Sequence, residues 1–108
     1  MDMQQITESA RPVFKAYAID KAILFGSFAT GRSSRRSDVD LILVAQSEKR
    51  FFDRYEGILR DLHQAIKGCS VDVLIYTQDE LLRIAHRPFI ARALREGKVI
   101  YESGSIAH

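Results

Sequence analysis

A chain of 108 residues with no interior stretch of linker composition is expected to form one domain, residues 1–108. Lys and Arg exceed Asp and Glu by 16 to 14, a net charge of +2 too small to argue for nucleic acid, so direct nucleic-acid binding is not expected. The lone Cys69 excludes an intramolecular disulfide and a cysteine-based zinc site; with no signal-peptide pattern and no membrane-length apolar run, a soluble, cytoplasmic protein is expected.

The first helix is expected over about Gln5 to Ala18, with Ile6, Val13, Phe14 and Tyr17 as apolar contacts. Pro12 argues for a start near Ser9, which would put the proline in the first turn. Ala22 to Phe25 and Val39 to Ala45 are short runs rich in branched residues and read as buried strands. Ser47 suits the N-cap of a long amphipathic helix in which Phe51, Phe52, Tyr55, Ile58, Leu59, Leu62 and Ile66 recur at helical spacing, with Gly68 as its stop. These aromatics read as core rather than as a base-stacking platform. Cys69 reads as a small buried residue ahead of a third strand, Val71 to Tyr76. Thr77-Gln78-Asp79-Glu80 is a capping-box pattern opening a short helix through about Ala85. Pro88 suits the first turn of another helix, with Phe89, Ile90, Ala93 and Leu94 apolar and Gly97 closing it. A last strand, Lys98 to Tyr101, precedes a polar tail. His63 and His86 fall outside any metal spacing, and Arg83, Arg87, Arg92 and Arg95 read as solvated helix surface. Helices on a small mixed sheet, an α/β (α+β) arrangement, are the expected fold class.

Chemistry concentrates between the first two strands. Gly26-Ser27 follows the first one directly, where glycine lets backbone approach a ligand and a hydroxyl can donate to it. A short helix starting at Ser27 would aim free N–H groups at an anion. Ten residues later comes Asp38-Val39-Asp40. Alternation along a strand points both carboxylates the same way, about 7 Å apart. Two like charges so placed, beside a loop carrying Arg32, Arg35 and Arg36, repel each other unless a cation lies between them. Mg²⁺ is the natural candidate, since it takes oxygen ligands and shares them with substrate phosphates. Asp72, embedded in the third strand, is expensive to bury without a partner. It either sits near a strand edge, hydrogen-bonded to backbone, or lies beside Asp38 and Asp40 and completes a three-carboxylate site, the reading preferred here.

With these residues in place the chain resembles the DNA polymerase beta-like nucleotidyltransferase superfamily, and within it the minimal nucleotidyltransferases (MNT). The likeness rests on Gly26-Ser27, the ten-residue gap, Asp38-Val39-Asp40 and Asp72. A leading helix, Ser37 just before the acidic pair and a closing strand from Gly97 to Glu102 extend it over most of the chain. It implies a nucleotidyltransferase fold with Asp38, Asp40 and Asp72 as catalytic and metal-binding residues for Mg²⁺. It also implies an ATP site of Gly26, Ser27, Arg32 and Ser37, with AMP moved to a hydroxyl.

One small domain leaves little chain to grip an acceptor. The resemblance implies a separate HEPN-class partner, an RNase toxin, for which the nucleotidyltransferase is the antitoxin of a toxin–antitoxin system. It would AMPylate (adenylylate) a toxin tyrosine or block the toxin by binding. A non-catalytic module that neutralises the HEPN partner by contact, and a small-molecule (aminoglycoside-type) nucleotidyltransferase, are the alternatives.

Overall fold

The computed structural model describes residues 2–31, 38–46 and 55–103. Among these the helices are α1 (Met3–Ala16), α2 (Ser27–Thr30), α3 (Tyr55–Ala65), α4 (Gln78–Ile84) and α5 (Pro88–Glu96). Four strands, β1 (Lys21–Phe25), β2 (Val39–Val44), β3 (Val71–Tyr76) and β4 (Lys98–Glu102), form one mixed sheet in the order β3-β2-β1-β4. β1 pairs antiparallel with β2 and β4, whereas β2 and β3 run parallel. The parallel pair needs a crossover, and α3 lies within it. The expected class, a small mixed sheet with helices packed on it, is the one observed.

Alternation along the strands sorts the core into two layers. Ala22, Leu24, Val39, Leu41 and Leu43 face α1 and α3, which contribute Ile6, Ala10, Phe14, Ile58 and Leu62. Ile23, Phe25, Ile42 and Val44 face the thinner layer, where α4 and α5 contribute Leu81, Ile90 and Ala93. Each fully buried Ile, Leu or Phe adds about 1.5–3 kcal/mol by leaving water. The first layer therefore carries most of the stability, and the second is free to present chemistry.

Several boundaries differ from the sequence expectation. Helix α1 begins at Met3, not near Ser9, and Pro12 lies inside it. A capping box explains the early start: the Asp2 side chain accepts from the Gln5 N–H at 2.8 Å, and Gln5 returns a bond to the Asp2 N–H at 2.9 Å. With Ile6, Ala10 and Phe14 buried from the same helix, the ends and the packed face outweigh the ladder bond Pro12 removes. Tyr17, just past the helix, donates to Asp61 of α3 at 2.7 Å and ties the two helices together.

Cys69 is only half-buried, because it precedes β3 at the rim of the first layer rather than within it. Gly97 ends α5 as expected, but in extended conformation. Its lack of a side chain matters for space: a Cβ there would press on the Ala93 carbonyl oxygen and on Ile23. Ser47, Phe51 and Phe52, expected to begin the long helix, lie outside the described residues, as does the tail after Ser103. The arginines Arg83, Arg87, Arg92 and Arg95 and both His63 and His86 are exposed, as expected of solvated surface.

Candidate active site

The strand register assembles the acidic residues. Asp40 is the direct partner of Asp72 across the parallel β2–β3 pair and of Phe25 across the antiparallel β1–β2 pair. Partners point to the same face, so Asp72, Asp40 and Phe25 form a row across the sheet on the side covered by α4 and α5. Asp38 precedes β2 and is exposed; next to it, the Val39 N–H donates to the Ser70 carbonyl at 2.8 Å and locks the entries of β2 and β3 together. Asp72 is also exposed, on the edge strand β3. The desolvation that a carboxylate in a buried apolar run would suffer is avoided by its position at the sheet's edge, while the register keeps it beside Asp40.

Asp40 is half-buried, and its carboxyl is raised above the ordinary aspartate value. Burial is the main cause, followed by the negative charges of Asp72 and Asp38. Among the described residues no three acidic, His or Cys side chains close to the spacing of a ligand shell. The donor set nevertheless suits a hard divalent cation. It consists of carboxylate oxygens that repel one another, with room for substrate oxygens to complete the coordination.

Gly26 closes the other side. It takes φ +78°, and a Cβ there would fall on Asp40 Oδ2, so the backbone passes directly against the carboxylate. The Ala29 N–H donates to the Gly26 carbonyl at 3.2 Å, and α2 starts at Ser27. Phe28 anchors this turn in the first layer of the core. The side chain of Ser27, together with Arg32, Arg35, Arg36 and Ser37, lies outside the described residues. Gly26→Ala should both strain the backbone, by about 1–2 kcal/mol for a left-handed alanine, and displace Asp40. A lower melting temperature together with weaker Mg²⁺-ATP binding is the expected result. A calorimetric titration indistinguishable from the parent would show that the close approach is not used.

An aromatic pair with a geometry that hydrophobic periodicity does not predict borders the row. Phe25, 8% exposed, meets Phe89 of α5 edge-on, with ring centroids 5.8 Å apart and planes at 87°. Phe89, one of the apolar residues of its helix, is 60% exposed. Ile90 and Ala93 bury the helix instead, and Phe89, adjacent to Ile90, is turned roughly 100° away from it.

The family described as polymerase beta, nucleotidyltransferase matches residues 8–105. A candidate protein adenylyltransferase of Methanocaldococcus jannaschii is 33% identical over an alignment 84 residues long that covers 74% of this chain and 56% of that protein. The chain thus spans about half the length of this curated relative. Among solved structures, a toxin–antitoxin complex with AMP-PNP contains a chain that superposes with a TM-score of 0.68 at 20% identity, covering 93% of this chain and 76% of that one. A tri-AMPylated HEPN toxin of Shewanella oneidensis in complex with its MNT antitoxin gives a TM-score of 0.62 at 18% identity, over 95% and 75% of the respective chains. At these identities the likeness establishes the fold. No helix among the described residues is long and apolar enough to cross a membrane.

Proposed function

We propose that this chain, which belongs to the polymerase beta nucleotidyltransferase family, transfers AMP from ATP to a tyrosine hydroxyl of a HEPN-class toxin and serves as that toxin's antitoxin in the cytoplasm. The observation that carries this reading is the register that sets Asp40 beside Asp72, with Gly26 packed against the Asp40 carboxylate. In this reading the HEPN-class protein presents the acceptor. The solved complexes that share its fold include a HEPN toxin already carrying AMP and a complex holding an ATP analogue.

In this reading Asp38 and Asp40, with Asp72 alongside, hold Mg²⁺. The bound ion supplies charge neutralisation on the triphosphate and the departing pyrophosphate. The backbone at Gly26 and Ser27 grips the outer phosphates, with Arg32 and Ser37 assigned to the same nucleotide. This fixes the α-phosphorus for in-line attack. Asp72, exposed at the sheet edge, orients the acceptor hydroxyl and takes its proton. The acceptor oxygen then bonds to the α-phosphorus as the bond to the β-phosphate oxygen breaks.

Mixing the chain with its HEPN-class partner and Mg²⁺-ATP tests the proposal. Intact-mass spectrometry should show the partner heavier by one or more AMP units. A partner that stays unmodified yet becomes inactive in a tight complex would replace catalysis by contact alone.

A further inference from the structure

We propose that Phe89 is the surface on which the base of the bound nucleotide stacks. The inference rests on the assignment of Gly26, Asp38 and Asp40 to the nucleotide's phosphates. A phenylalanine 60% exposed on an otherwise well-anchored helix is placed against the apolar gradient, and its surroundings give it a specific direction. Phe25 is simultaneously the strand partner of Asp40, the residue before Gly26 and the edge-on neighbour of the Phe89 ring. The ring therefore stands one residue's reach from the acidic row, on the same face of the sheet. With the acceptor approaching over Asp72, the nucleoside is left the Phe25 end of the row, against which the Phe89 ring packs.

The contact with Phe25 fixes the ring without covering it. An edge-to-face pair takes up at most one face of either ring, and the exposure of Phe89 shows that a face remains open to solvent. Pro88 at the first helical position sets the backbone entering α5, while the buried Ile90 and Ala93 anchor the helix. The ring is thus presented on a rigid element, so little freedom is lost when a base stacks on it. Stacking is tolerant of base identity, because every base has a π-face; purines gain most from their larger area.

Binding of Mg²⁺-ATP and of Mg²⁺ with inorganic triphosphate, which has no base, separates this contact from the phosphate site. The parent chain should bind both. Phe89→Ala should lose roughly five- to a hundredfold in ATP affinity, the range of a lost base–aromatic stack, with triphosphate affinity unchanged. Phe89→Trp should bind ATP at least as well as the parent. Unchanged triphosphate binding also shows that the alanine variant is folded. Parental ATP affinity in Phe89→Ala would overturn the inference while leaving the phosphate site standing. So would an equal loss for both ligands. Normal ATP affinity with slowed modification of a protein acceptor would assign the ring to that acceptor and likewise overturn it. A parent chain that binds neither ligand would remove the nucleotide site itself, and the stacking role with it.

Discussion

Asp38→Asn combined with Asp40→Asn is expected to abolish Mg²⁺-dependent ATP binding while the protein stays folded. The amides match the carboxylates in shape but carry no charge and are poor ligands for a hard cation. The loss should exceed the roughly 10- to 100-fold that follows from disturbing a mere outer-shell partner. The fold should gain. Because the Asp40 carboxyl is raised in the folded state from 3.8, its contribution to stability is full below that pH and is lost as pH rises through the raised value. At neutral pH the parent holds a half-buried anion against the charges of Asp72 and Asp38, and asparagine removes that repulsion. A higher melting temperature than the parent at pH 7, with the difference vanishing below pH 3.8, is therefore expected in the absence of metal. Calorimetric titration and melting curves on the same preparation check both halves. A folded double variant that binds Mg²⁺-ATP like the parent would remove the nucleotide site.

That such a site could be sketched from the chain alone follows from the local nature of its signals. The runs ending at Phe25 and Val44 are short, branched and interrupted by polar residues, so β1 and β2 announce themselves. Period-two alternation is enough to put Asp38 and Asp40 on one side. The partnership of Asp40 with Asp72 is different in kind. It depends on β3 lying parallel to β2, and a sequence does not state strand order or register. The residues themselves leave two positions open for Asp72 and favour the one beside Asp38 and Asp40, an expectation that the resemblance to a family shares. Pro12 misled for a local reason: its penalty is visible in the sequence, while the packing of Ile6, Ala10 and Phe14 that outweighs it is tertiary. The orientation of Phe89 is hidden from the sequence for the same reason. Beside Ile90 on a helix, either could have faced the sheet, and only the position of α5 over Ile23 and Phe25 decides between them.

Asp72→Asn should separate catalysis from binding. Asp40 is the most enclosed of the three carboxylates and stands between the other two charges, whereas Asp72 lies exposed on the edge strand, where an acceptor can reach it. If Asp38 and Asp40 supply the main metal ligands, the asparagine variant should keep most of the parental Mg²⁺-ATP affinity. Transfer to the partner should nevertheless fall by about 10²- to 10⁴-fold, the usual consequence of losing a positioned general base. Exposure makes a packing defect a poor explanation for lost activity, since surface substitutions away from special features usually change stability by no more than about 0.5 kcal/mol. A purely structural Asp72 predicts the reverse pattern, a lower melting temperature with transfer per folded molecule unchanged. Melting temperature, ATP affinity and single-turnover rate measured on one preparation distinguish the two. A stable variant that binds ATP and transfers AMP at the parental rate would take Asp72 out of the site and leave the proton of the acceptor hydroxyl to another group.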